Sequence, residues 1–339
     1  MTTDIRRGSN RGLPAALHRL ASAVLLMLSL VCCLPGIAAS AAGYPSNVVT
    51  LVVPYPAGTA TDTYARLFAR KLESDFGQRV IVENRPGANG MNGAATIARA
   101  KPDGYTLLFT TSSTHTSVLG LYKAVPYDPI KDFTPVAILA AGSTLLVVRS
   151  DQNISNIPQL VAAAKANPGK LNIGFANASG QIAVEVLKKR AGIDVVGVPY
   201  RGTPQAMTDL LGGNLQLMVA DIVTAGQYFD QGKLKPLAFF SKQRRTVLPD
   251  VATYHETIAP GVDLSFWYAV FAPPGTPKDV TDVLAKALRK ALDDKEIQEH
   301  TAKVGTEIAW TGPDAFTPYL ASEISRWDAV IKEAGIQKE

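Results

Sequence analysis

Three segments of this chain place glycine and short polar side chains where an apolar strand gives way to a helix. That arrangement binds anions through unpaired backbone N–H groups and the positive end of the helix. The first is Val53-Pro54-Tyr55-Pro56-Ala57-Gly58-Thr59-Ala60-Thr61-Asp62. Gly58 allows close backbone approach, and Thr61 or Asp62 can cap the following helix. The second is Thr110-Thr111-Ser112-Ser113-Thr114-His115, five hydroxyls in succession before a histidine. The third is Ala176-Asn177-Ala178-Ser179-Gly180-Gln181. Each alone also fits a plain capped turn. Three of them, divided between two halves of the chain, favour binding, with Tyr55, Ala57, Gly58, Thr59, Ser112, Ser113, Thr114, Asn177, Ser179 and Gln181 as ligand-contact candidates.

Two charged residues join that set. Asp221 follows the apolar strand Leu215–Val219, where it can bind a ligand amine or hydroxyl, or merely cap a helix. Arg201 follows the strand Val195–Val198, where it can pair with a carboxylate or stay solvated. His115 can act as a base or as a structural hydrogen-bonder; His255 and His300 lie in polar surroundings and read as surface residues. The glycines of Gly87-Ala88-Asn89-Gly90-Met91-Asn92-Gly93 are three apart, which fits a tight turn against a helix better than a dinucleotide loop. No G-x-S-x-G elbow, H-E-x-x-H pair, Walker A loop or EF-hand loop occurs. No cofactor, metal site or catalytic residue is expected.

Alternating elements must position these loops. Strands are expected at 48–53, 80–82, 106–109, 136–139, 145–148, 171–174, 195–198, 215–219, 237–240 and 266–271. Helices are expected at 61–75, 92–100, 158–166 and 181–191, after Thr203-Pro204, after Thr276-Pro277 and over 313–335. In the last, Phe316, Leu320, Ile324, Trp327 and Ile331 recur at spacings of three and four. Continuous apolar strands between amphipathic helices predict α/β architecture with two doubly wound, parallel sheets. The chain reads as passing from one lobe to another near 140–147 and back near 262–270. That gives 42–145 plus 266–339 as lobe 1 and 146–265 as lobe 2.

Residues 1–41 read as a signal peptide. Arg6, Arg7, Arg11 and Arg19 precede the apolar run 21–34, and Ala39-Ser40-Ala41 fits a small-x-small cleavage site. The run is far short of the roughly 20 residues that span a bilayer. Removing four arginines and Asp4 lowers the whole-chain charge of +5 to about +2, so nothing points to nucleic acid or a membrane surface as partner. Cys32 and Cys33 both lie in the leader, so disulfides and thiolate sites are not expected in the exported chain.

The ordered blocks Val53-Pro54-Tyr55-Pro56-Ala57-Gly58, Val82-Glu83-Asn84-Arg85-Pro86-Gly87-Ala88 and Lys101-Pro102-Asp103-Gly104-Tyr105 resemble the Bug-type extracytoplasmic solute receptors. Val125-Pro126-Tyr127-Asp128-Pro129, Val198-Pro199-Tyr200-Arg201-Gly202, Asp209-Leu210-Leu211-Gly212-Gly213 and Phe271-Ala272-Pro273-Pro274-Gly275-Thr276-Pro277 extend the match from about Tyr44 to the C-terminus. These receptors are the binding components of tripartite tricarboxylate transporters. The resemblance implies a periplasmic two-lobed protein of the type II, Venus-flytrap kind. It also implies a carboxylate held by backbone groups near Ala57-Gly58, further contacts from Ser112–Thr114 and Ser179-Gly180, and an acidic position at Asp221 that influences ligand choice. The implied partners are a small carboxylate and the two membrane subunits; a monomer is expected. An orphan receptor feeding a membrane sensor is an alternative, and a hydrolase using His115 a more distant one. The chain departs from the family pattern at Thr59-Ala60 and at Phe175–Gln181, both at implied ligand contacts. Citrate, dicarboxylates, acidic amino acids and aromatic carboxylates stay open as ligands.

Overall fold

The structure is a computed structural model that describes residues 43–338; the expected signal peptide and its cleavage site lie outside them. Eleven strands among the described residues form two mixed sheets. The first sheet has the order β11-β4-β10-β3-β1-β2, from β1 (Val49–Val53), β2 (Val80–Asn84), β3 (Thr106–Thr111), β4 (Thr134–Gly142), β10 (Phe266–Ala272) and β11 (Glu307–Thr311). The second has the order β7-β6-β8-β5-β9, from β5 (Leu145–Arg149), β6 (Asn172–Phe175), β7 (Val196–Pro199), β8 (Leu217–Ala220) and β9 (Leu234–Phe239).

The sheets are not wholly parallel. β1 runs parallel to β2 and β3, with Leu51 opposite Val82 and Leu107. β10 lies antiparallel to both β3 and β4, and β5 antiparallel to both β8 and β9. A strand buried on both faces is apolar throughout whichever way it runs, so composition could not reveal this reversal. Only two residues, Ser143 and Thr144, separate β4 in one sheet from β5 in the other.

Eleven α-helices of the described residues cover the sheets: α1 (Ala60–Phe76), α2 (Met91–Ile97), α3 (Ser117–Leu121), α4 (Ile157–Ala166), α5 (Ala178–Ala191), α6 (Thr203–Gly212), α7 (Ile222–Asp230), α8 (Tyr254–Thr257), α9 (Lys278–Ala291), α10 (Lys295–Lys303) and α11 (Pro313–Ala334). Several caps differ from the sequence expectation. Thr59, not Thr61 or Asp62, caps α1; its side chain accepts from the Asp62 N–H. The helices expected after Thr203-Pro204 and Thr276-Pro277 have Gly202 and Pro277 at the cap position, and neither gives a side-chain cap. Thr276 instead donates to the Pro273 carbonyl at 2.8 Å. α3, α7, α10 and β11 had no sequence expectation; β11 is an edge strand with Glu307 and Ile308 exposed, so it lacks the apolar run that marks its neighbours.

One apolar cluster joins Val49, Leu51, Tyr64, Phe68 and Leu107 beneath α1 and α9. Another joins β10 and α11 to the second sheet, with Trp267, Phe316 and Trp327 beside Ile173, Ile182 and Val219. Burial of the Phe316, Leu320, Trp327 and Ile331 stripe holds α11 in place. Trp267 donates to the Glu323 carboxylate at 3.2 Å, and Arg326 donates to the Asp263 and Ser265 carbonyls. The return connection into β10 is therefore fastened to α11. No helix among the described residues is long and apolar enough to cross a membrane.

Candidate functional site

A cleft opens where the carboxyl ends of strands from both sheets face each other. Four helices start at its wall. Ala60 and Thr61 open α1, Asn177 caps α5 ahead of Ser179, Gly202 and Thr203 open α6, and Asp221 caps α7. The first N–H groups of a helix have no intrahelical acceptor and carry partial positive charge. Phe266 and Tyr268 of β10 and Thr144 from the first connection also line the cleft, with Tyr55, Thr111 and Leu264. The cleft holds about 590 Å³ not filled by atoms, open mouth included. No lysine, arginine or histidine lines it. An anion there would be held by helix dipoles and hydroxyls rather than by an ion pair.

A clamp fixes the loop before α1. The Asp62 carboxylate accepts from the Gly58 N–H at 3.0 Å, from Asn84 Nδ2 at 2.9 Å and from Arg66 Nε at 3.0 Å. Asn84 also donates to the Tyr55 carbonyl at 3.0 Å. Burial alone would raise the Asp62 pKa; Arg66, Gly58 and Asn84 outweigh it and hold the group below its usual value. Gly58 sits at φ 79°, a left-handed conformation suited to glycine. Sequence reasoning took Asp62 only as a possible cap. Its role depends on Asn84, at the end of the neighbouring strand.

The structure divides the candidate residues into groups. Tyr55, Thr59, Asn177, Ser179 and Asp221 line the cleft together. Ala57 and Gly58 are exposed at its edge, outside the lining. Gln181 lies one turn into α5, also outside it. Ser112, Ser113 and Thr114 are buried behind Thr111, which takes the place at the wall. Arg201 stands in an adjoining outer groove. Ala60, Thr61, Thr144, Thr203, Phe266 and Tyr268 are wall residues that sequence reasoning did not select. Ala60 and Thr61 lie in the first loop singled out from the sequence, and Thr203 follows the same strand as Arg201, so these three had a signal.

Asp221 accepts from the Thr224 N–H at 2.8 Å and from its hydroxyl at 2.9 Å, both through Oδ1. Burial raises its pKa, and the bonds from Thr224 only partly offset this. The carboxyl is thus the helix cap, one of the two readings its position allows, and it also lines the cleft. His115 is placed differently. Its ring stacks on Phe271 with centroids 4.0 Å apart, its Nδ1 lies 2.8 Å from Thr114 Oγ1, and its buried Nε2 has no partner. Burial lowers its pKa to about 3. It sits in the aromatic core and not in the cleft wall. His300, expected at the surface, packs edge-on against Tyr64 at 5.0 Å, and its Nε2 is buried.

The lobes touch beside the cleft. There Ser117 Oγ lies 2.8 Å from Ser179 Oγ; at the opposite end of α5, Arg190 pairs with Glu333 of α11. A Cβ on Gly202 would lie 3.1 Å from Pro56 Cγ.

Two mixed α/β sheets, with a cleft at their facing strand ends and four helix starts in its wall, define a two-lobed solute-binding protein. The chain belongs to the TctC family, the tripartite tricarboxylate transporter family receptors, whose model matches residues 64–336. It is 34% identical over 318 residues to the protein BugT of Bordetella pertussis, covering 92% of this chain and 97% of that one. The solved periplasmic binding protein BugD is similar at TM-score 0.83 and 33% identity, over 87% of this chain and all of that one. An R. palustris protein solved with adipate is similar at TM-score 0.83 and 30% identity, over 87% of this chain and 100% of the other.

Proposed function

We propose that this receptor captures a small carboxylate between its lobes, in the periplasm, and delivers it to the membrane subunits of a tripartite tricarboxylate transporter without turning it over. The observation that carries the reading is the convergence of four helix N-termini on a cleft wall that contains no cationic side chain. The adipate in the R. palustris relative supports a carboxylate ligand.

In this reading Tyr55, Thr59, Asn177, Ser179 and Asp221 touch the ligand directly. Ala57 and Gly58 act through their backbone at the rim. Ser112, Ser113 and Thr114 support the wall from behind, Gln181 backs α5, and Arg201 acts from the outer groove. Asp221 would take a hydroxyl or ammonium donor on the ligand. The lobes are taken as 42–145 plus 266–339 and 146–265, supported by sheet membership, and residues 1–41 as the leader removed on export. A monomer suffices, because one chain supplies every wall residue.

A thermal-shift panel of about fifty carboxylates tests the reading. A ligand at 100 times its dissociation constant adds about 2.7 kcal/mol, a rise of roughly 2 °C or more for a chain of this size. A clear shift with one carboxylate class, and no chemical change in the ligand recovered after incubation, is the expected result. Absence of any shift, repeated after unfolding and refolding to release carried-over ligand, refutes the carboxylate reading.

A further inference from the structure

The inner cleft continues outward into a second, larger space. This groove holds about 1010 Å³ not filled by atoms, open mouth included, and it shares Tyr55 and Ala176 with the inner wall. Its walls are rigid. Pro54 and Pro56 from the loop after β1, Pro86 after β2 and Pro199 at the end of β7 line it. Opposite the second lobe runs the turn Gly87–Gly90, in which four consecutive residues have positive φ, including Ala88 at 47° and Asn89 at 53°. Non-glycine residues persist in that region only when their surroundings hold them. Here Asn89 Nδ2 donates to the Tyr122 hydroxyl at 2.6 Å. Gly90 packs so closely that a Cβ would lie 2.7 Å from Thr114 Cγ2 and 3.4 Å from the Tyr55 ring. The turn thereby wedges Tyr55 into position as the partition between the two spaces.

Arg201 is the one cationic side chain that lines this groove, and it is exposed. It has no hydrogen bond or ion pair to any described residue, whereas its neighbour Tyr200 is engaged, donating to the Asp209 carboxylate at 2.6 Å. A guanidinium left free on a preformed wall is available to an anion without first breaking an internal pair. The inner cleft offers dipoles for one carboxylate and, at Asp221, a group that repels a second. A second anionic end on the ligand is therefore accommodated outward, past Tyr55, and not inward.

We propose that Arg201 is a specificity residue that receives the second anionic group of a ligand whose first carboxylate lies in the inner cleft, so that the receptor favours unbranched dicarboxylates over monocarboxylates of equal length. The proposal rests on the carboxylate reading of the inner cleft. The guanidinium, exposed on the groove wall, selects by charge and by chain length together. A diacid too short to pass Tyr55 gains nothing from it.

Calorimetric titration of the purified protein with unbranched dicarboxylates of three to eight carbons, and with the half-methyl ester of each, tests this. Wild type should bind the longer diacids more tightly than their half-esters. In Arg201→Gln that preference should vanish, through a roughly three- to tenfold loss for the diacids with the half-esters unchanged. Because Arg201 is exposed, the variant should keep the wild-type melting temperature without ligand. An equal loss for diacids and half-esters, or an unchanged ratio between them, overturns the role of Arg201. Failure of wild type to bind any diacid or half-ester overturns the carboxylate reading itself and is told apart by the silent wild-type titrations.

Discussion

His115 shows how a residue type suited to catalysis can be placed where it does none. The ring lies between Phe271 and Phe133, with Thr114 on Nδ1 and nothing on Nε2. Protonating it would place a charge among aromatic rings with no counter-ion, so burial lowers the pKa to about 3. The unfolded chain takes up that proton near pH 6.5. Below that pH the unfolded state binds a proton that the folded state refuses. The contribution is complete above about pH 6.5 and declines as pH falls toward about 3, by about 1.4 kcal/mol per pH unit. In urea unfolding at pH 7 and pH 5, His115→Phe should lose about 2 kcal/mol less than wild type between the two conditions. Equal losses would mean that the ring titrates normally in the folded protein.

Elements bring the cleft wall together through residues that never touch the cavity. The loop from Tyr55 to Thr59 is held by Asp62 on α1 and Asn84 at the end of β2, which meet through a 2.9 Å hydrogen bond. Asp62→Ala removes the acceptor of the Gly58 N–H and leaves Asn84 half-satisfied. A loss of about 1–3 kcal/mol in urea unfolding is expected, with weaker carboxylate binding in calorimetry because the α1 N-terminus is no longer fixed. Wild-type affinity in a destabilised variant would show that the loop keeps its shape without the clamp. This dependence was not legible beforehand. Val53–Asp62 was visible as a turn after a strand and Val82–Ala88 as a family block, but the pairing of β1 with β2 that joins them is a tertiary fact. By contrast, the Phe316–Ile331 stripe of α11 was legible, since its period alone fixes one buried face.

At the scale of the whole molecule, ligand capture depends on how closely the two lobes approach. Gly202 has φ −169°, an extended conformation open to any residue, so its backbone does not require glycine. Close approach does: a Cβ would stand 3.1 Å from Pro56 of the facing lobe. Gly202→Val places two further methyl groups in that contact and should hold the lobes apart. The cost to the closed form is about 1–3 kcal/mol, or tenfold or more in affinity. The change should appear as faster ligand dissociation in stopped flow and a larger radius of gyration for the ligand-saturated variant in solution scattering. Unchanged dissociation and radius would show that the Pro56–Gly202 contact does not limit closure.

The amino-acid sequence by itself determined the α/β class, the loops that follow β1, β6 and β7, the apolar face of α11 and the family blocks. Each of these depends on local periodicity, on turn chemistry or on short ordered motifs, all of which are written in consecutive residues. Only the tertiary structure decided the mixed direction of the sheets, because burial on both faces erases the difference between parallel and antiparallel strands. Only it put Thr111 at the wall with Ser112–Thr114 behind, since a run of hydroxyls carries no period that tells inward from outward. And only it separated Asp221 from Arg201, two charges at similar strand ends, by setting one in the inner cleft and the other in the groove outside Tyr55. Which wall a side chain joins is fixed by the neighbours its strand acquires in the sheet, and those neighbours are distant in sequence.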